Sequence, residues 1–376
     1  METLTTESKF SQLLCWCEEN AVSDLHLQSN ATPRIRHEGR LKKLDPQLCP
    51  GLDEPGLFQL LKEGFSTTIF QALQTQNELD LSFLHRQTRY RANFSKQQGT
   101  QSCSFRRVPS QEYNLADLRL PSSLADLVKE ARGLILAAGP TGQGKSTTMR
   151  ALIQSINETQ ALRIISIEDP IEYVFTALES QIEQREVGID TEDFASGIRN
   201  AMRQDPDVIF VGEIRDRESI HAAMQASETG HLVLTTLHAD STAQAIARIC
   251  ELYPSDEQSN ITGLLARNLK SVICQRLIPD KESRLIPCFE SMRQDHGIEE
   301  ALRSKNLTLL TGIIEAAIDQ GMHSFDQYLQ ELLIADMITE ETARNYAVNK
   351  HRLDLNLRGI ETNTPILFTG TTSESL

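Results

Sequence analysis

The sequence predicts an α/β protein: a parallel sheet covered by helices on both faces, with a smaller α+β domain before it and a helical region after it. Three observations carry that reading. From residue 122 onward, short apolar strands alternate with helical stretches, the grammar of a sheet buried on both sides. A glycine-rich turn, GPTGQGKS at 139–146, joins one of those strands to the next helix. Before residue 109, three strand-like pieces follow one another with turn residues between them.

Taken in order, residues 1–30 predict a helix and then a short strand at DLHL. RIRHEGRL reads as strand, 56–76 as helical, and ELDLSF, TRYRANFS and SCSFRRV as strands, giving one small α+β domain over 1–108. PSQEYNLADLRLP, 109–121, has two prolines and no period, so it reads as a linker. SSLADLVKEARGL predicts a helix, LILAAG a buried strand and TTMRALIQSINE a helix. RIISIEDP, DVIFVGE and HLVLTTLHAD repeat the pattern of an apolar strand ending in polar residues. Residues 256–350 read as nearly all helical, closing a domain over 122–355, and 356–376 as a flexible tail rich in Ser and Thr.

Composition narrows the function. The chain has 376 residues, 39% hydrophobic and 24% charged, as in soluble globular proteins. No apolar run approaches the roughly 18 residues of a membrane helix. METLTTESKF lacks a signal-peptide pattern, so a cytoplasmic location is expected, with any membrane contact peripheral. A net charge of −15 argues against general nucleic-acid binding, which rests on neutralising phosphates. The seven cysteines form no CxxC pair, so neither a zinc site nor a redox pair is indicated.

Gly139, Pro140, Thr141, Gly142, Gln143, Gly144, Lys145 and Ser146 match the phosphate-binding pattern G-x4-G-K-[ST], with Thr147 following. Glycines let backbone N–H groups turn toward phosphates, and the following helix presents its positive end to them. In such a loop the lysine reaches the β- and γ-phosphates and the Ser146 hydroxyl is a ligand for Mg²⁺. The strand before and the helix after supply the context the pattern requires.

A phosphate loop needs a carboxylate that orients Mg²⁺ and a group that positions the attacking water. Carboxylates at the C-terminal ends of neighbouring parallel strands are placed for both. Two strands end this way, one at Glu168 and Asp169, the other at Glu213, and their spacing does not divide the roles. The generic hydrolase pattern has Asp where Gly212 stands. Asp205, Asp207 and Asp216 also fit solvated turn residues.

Five motifs in one order resemble the PilT/PilU group of secretion ATPases, the motors that retract type IV pili. They are SDLHL with PRIRHEGRL, GPTGQGKSTT, IEDPIEY, AMRQDPDVIFVGEIRD and ETGHLVLTTLHADST, and the likeness spans about residues 8–350. It implies a RecA-like P-loop ATPase domain behind a PAS-like N-terminal domain, with ATP and Mg²⁺ as cofactors. By position, Glu168 matches the glutamate that activates water, and Glu213 the glutamate near Mg²⁺. His238 and His231 match the histidine box, which senses the γ-phosphate or couples subunits. Arg91 and Arg106 match arginines that approach the nucleotide and would offset charge on the transferred phosphoryl group.

Two departures stand out. Gln143 occupies a position where the group usually has Ser. GIEEALRS, 297–304, replaces the AIRNLIRE-like segment of PilT-type motors, and the helical stretch after it resembles PilU-type C-termini. The expectation is therefore a PilU-like accessory retraction motor. The likeness also implies a homo-hexameric ring, hinged near 109–121, acting on an inner-membrane pilus platform protein beside a sister PilT-type motor. A type IV secretion or conjugation ATPase shares the core and is the alternative. Pilus extension and type II secretion ATPases carry a CxxC zinc element that has no counterpart here. A RecA-like nucleic-acid motor is opposed by the charge.

Overall fold

The computed structural model describes residues 8–108, 114, 115, 117, 118 and 120–357. Most of the segment read as a linker, and all but the first two residues of the tail, lie outside the described residues. The chain divides into two compact units, Met1–Gln111 with Pro170–Val174, and Glu112–Asp169 with Phe175–Leu376.

The first unit holds α1 (Lys9–Glu19), β1 (Asp24–Gln28), β2 (Arg34–His37), β3 (Arg40–Lys43), α2 (Glu54–Gly64), α3 (Thr67–Thr75), β4 (Glu78–His85), β5 (Thr88–Gln97) and β6 (Thr100–Arg107). Its antiparallel sheet runs β3-β2-β1-β6-β5-β4. RIRHEGRL is two strands rather than one, because Glu38 and Gly39 both take positive φ and close a two-residue hairpin. The stretch 56–76 is likewise two helices, the second started by Ser66, whose hydroxyl accepts from the Ile69 N–H.

Phe10, Leu13, Leu14 and Cys17 recur at helical spacing and put one face of α1 into this unit's core. The Phe10 ring lies 5.4 Å from Phe65 and 5.1 Å from Phe105. It packs so closely on Gly64 that a Cβ there would stand 2.3 Å from Phe10 Cδ1. Phe10→Ala is expected to cost the unit about 3–5 kcal/mol, read as a lower denaturant midpoint. A midpoint shift worth under about 1 kcal/mol would show that the cluster does not hold this unit together.

The second unit opens with α4 (Ser122–Ala125) and one 3-10 turn, shorter than the helix expected over 122–134: the backbone turns extended at Glu130, and β7 (Gly133–Ala138) follows. Then come α5 (Lys145–Thr159), β8 (Arg163–Glu168), β9 (Gln181–Glu186), α6 (Phe194–Ala201), β10 (Val208–Val211), α7 (Arg217–Glu228), β11 (Leu232–Leu237) and α8 (Thr242–Glu251). The chain continues as α9 (Gln258–Asn268), β12 (Leu269–Pro279), β13 (Leu285–Arg293), α10 (His296–Arg303), α11 (Leu309–Ala316), α12 (Phe325–Ile334), α13 (Glu340–Tyr346) and α14 (Lys350–Leu357). The sheet order is β13-β12-β7-β11-β10-β8-β9, parallel except for the β12–β13 pair.

The region read as nearly all helical thus holds helices α9 to α13 and also a long hairpin. A short apolar run such as VIC, buried on both faces, has no period that separates strand from helix. The hairpin matters to the site: β12 lies parallel to β7 with Cys274 opposite Ala138, which brings Gln275 against the glycine loop.

Candidate functional site

The loop 139–144 leaves β7 at its C-terminal end and feeds α5. Gly139 and Gly144 have φ of +151° and +82°, where side chains are strained. Space forbids a side chain as well, since a Cβ on Gly139 would come 2.5 Å from the Gln275 carbonyl oxygen. β12 therefore forms one wall of the loop. Gln275 Oε1 accepts from Thr148 Oγ1 at 2.6 Å, and Gln143 Oε1 accepts from the Leu277 N–H at 2.6 Å. The departure at Gln143 has a structural task, which is to tie the loop to β12.

Lys145 is buried, and its ammonium donates to the carbonyls of Gly139 (2.8 Å) and Pro140 (2.9 Å). Burial lowers its pKa below the usual lysine value, and the charge of Glu213 opposes that shift. His238 stands between the two. Its Nδ1 lies 3.4 Å from Lys145 Nζ and its Nε2 3.3 Å from Glu213 Oε2. A neutral ring with its proton on Nε2 satisfies both contacts. Glu213 also pairs with Arg215, which reaches on to Asp169 at 3.3 Å. Neither Gln275 nor Arg215 was singled out in the sequence. For Gln275 the available signal was a lone amide inside the apolar run VICQRLI.

Glu168 ends β8, next to β10, and is buried. Its Oε1 accepts from Ser166 Oγ at 2.7 Å and from Gln184 Nε2 at 3.0 Å. A Cβ on Gly212 would sit 3.4 Å from Glu168 Cα and 3.8 Å from Glu168 Cβ. An Asp at 212 would place a second carboxylate beside Glu168, which gives a physical reason for glycine here. The other acids of DPDVIFVGEIRD are structural. Asp216 caps α7 by accepting from the Ser219 N–H, Asp207 accepts from the Arg163 N–H, and Asp205 occupies a positive-φ turn.

Ser146 and Thr147 lie in the first turn of α5, while Thr141 and Gly142 are exposed at the loop tip. His231, expected to bind the cofactor, lies away from the loop of its own chain. It precedes β11, whose Leu232 pairs with Gly133, whereas His238 follows Leu237, paired with Ala138. Six strand residues at about 3.3 Å each separate the two ends, so within one chain His231 sits at the sheet edge opposite the loop. Its Nδ1 bonds with the Ala226 carbonyl at 2.9 Å.

Arg91 and Arg106 are cross-strand neighbours on β5 and β6 of the first unit. Arg91 pairs with Glu172 at 3.7 Å. Arg106 Nε lies 2.7 Å from Oδ1 of buried Asp24, with 68% of the arginine side chain exposed. Burial alone would raise the Asp24 pKa, but the bonds from Arg106 and Ser23 outweigh it and hold the carboxyl below its ordinary 3.8. A depressed pKa stabilises the fold above 3.8, and that contribution is lost as pH falls below it. Arg106→Ala is therefore expected to cost about 1 kcal/mol at neutral pH, discounted for the exposed partner. The difference from wild type should shrink below that pH in urea titrations. A constant difference down to the acid limit would exclude Asp24 as the cause.

A glycine loop, a buried lysine and carboxylates brought to one sheet edge suit a polyphosphate with a hard cation. Among the described residues, no group of three or more His, Cys, Asp and Glu could hold a metal alone. A hydroxyl and a carboxylate, Ser146 and Glu213, fit Mg²⁺, which takes few protein oxygens and completes its shell with phosphate and water. The fold and the site define a P-loop nucleoside triphosphatase.

Residues 98–341 match the family model described as type II/IV secretion system protein. The chain is 33% identical over 338 residues to the type IV pilus retraction ATPase PilT of Pseudomonas aeruginosa, spanning 90% of this chain and 97% of PilT. To the type IV pilus ATPase PilU of the same organism it is 32% identical over 360 residues, 93% of this chain and 91% of PilU. A crystal structure of the pilus retraction motor PilT with bound ADP superimposes with a TM-score of 0.84 at 35% identity, covering 93% of this chain and 99% of that one. The chain belongs to the type II/IV secretion system protein family, among the PilT- and PilU-like ATPases.

Proposed function

We propose that this chain hydrolyses ATP to drive retraction of a type IV pilus, as a PilU-like accessory motor in a homo-hexameric ring. The observation that carries the reading is the sheet edge at which Lys145, His238 and Glu213 touch in sequence and to which β8 brings Glu168, in a chain that spans nearly all of PilT. Lys145 draws charge from the β- and γ-phosphates, and Ser146 and Glu213 hold Mg²⁺, which neutralises phosphate charge when bound. Glu168 takes the proton of the attacking water. His238 reports the γ-phosphate to Glu213.

The PilU-like part is supported by GIEEALRS at 297–304 and by a match to PilU that reaches 360 residues. The ring would work on an inner-membrane platform protein; no helix among the described residues is long and apolar enough to cross a membrane. The test is deletion of the gene in its host, with and without a sister motor, scored by microscopy of labelled pili. Reduced retraction supports the proposal, and unchanged retraction in both backgrounds contradicts it.

A further inference from the structure

We propose that Gln184 is a positioning residue that fixes the carboxylate of Glu168 for water activation; this rests on Glu168 as the base. β9 lies parallel to β8 with Gln184 opposite Ser166 and Glu186 opposite Glu168, so these four side chains share one face of the sheet. Ser166 Oγ and Gln184 Nε2 both donate to the same oxygen of Glu168, at 2.7 and 3.0 Å. The Gln184 amide is itself oriented. Its Oε1 accepts from the Phe175 N–H at 2.9 Å, which leaves Nε2 to face the carboxylate.

A glutamate has three rotatable bonds, and a base is effective only when its oxygen is held within reach of the proton it takes. Two donors on one oxygen, one of them pinned to the backbone, remove that freedom before substrate arrives. β9 is an edge strand with no residue in the loop or the strand-end motifs, yet it delivers this contact.

The test uses the full-length protein with Mg·ATP. Gln184→Ala should lower kcat about 10- to 100-fold, the loss usual for disturbing an outer contact or misplacing a base. The Kd for a fluorescent ATP analogue should stay within about twofold of wild type, since neither residue is in the phosphate loop. Gln184→Glu keeps an acceptor for the Phe175 N–H while replacing the donor with a like charge, so its kcat should fall at least as far. Ser166→Ala, which removes the other donor, should lower kcat in the same direction. Wild-type kcat in Gln184→Glu would overturn the inference, as would losses of affinity and melting temperature that match the loss of kcat. If Glu168→Gln kept its turnover, the underlying reading would fail and this inference with it. If Glu168→Gln were inactive and the Gln184 variants normal, the positioning role alone would fail.

Discussion

Lys145→Gln is expected to lose ATP turnover by about 10²- to 10³-fold, the effect of removing one preorganised charge from a site of developing negative charge. Among the described residues the ammonium touches the carbonyls of Gly139 and Pro140 and the ring of His238, so its loss leaves the sheet and α5 packed. Binding of ATP should weaken as well, because the lysine contacts the phosphates in ground and transition states alike. Phosphate release and analogue titration on one preparation check both. Turnover within tenfold of wild type, with a native melting temperature, would remove Lys145 from the chemistry.

Glu168→Gln should separate binding from chemistry. Glutamine has the shape of glutamate, and its carbonyl oxygen can still accept from Ser166 Oγ and Gln184 Nε2. The variant should therefore fold, bind ATP near the wild-type Kd and hydrolyse it about 10²- to 10⁴-fold more slowly, the range that general-base catalysis contributes. Single-turnover phosphate release reads this directly. A rate within tenfold of wild type would show that another group takes the proton.

The parts of this site that could be read from the sequence are those whose chemistry is local. GPTGQGKS announces itself because the glycines, the lysine and the helix start must be contiguous, and β7, β8, β10 and β11 because buried parallel strands are short apolar runs. Other parts depend on contacts distant in sequence. Gln275 meets Thr148 across 127 positions, through a hairpin whose apolar strands carry no helix-or-strand signature. Gln184 reaches Glu168 only because β9 adds to the sheet edge.

His231 and His238 show the same limit from the other side. They share one motif, seven residues apart, but a strand between them sends the two rings to opposite edges of the sheet. Arg106 illustrates competition for a side chain. Its sequence context suits a phosphate contact, and the fold gives its Nε to Asp24.

The division of labour between the two strand-end glutamates is tested most directly by the Mg²⁺ dependence of phosphate release. Glu213→Gln should raise the Mg²⁺ concentration for half-maximal turnover by about 10-fold or more, as loss of a carboxylate that orders the metal demands. Glu168→Gln should leave that concentration unchanged while cutting the maximal rate. A Mg²⁺ requirement that moves with Glu168→Gln and stays fixed with Glu213→Gln would contradict the account.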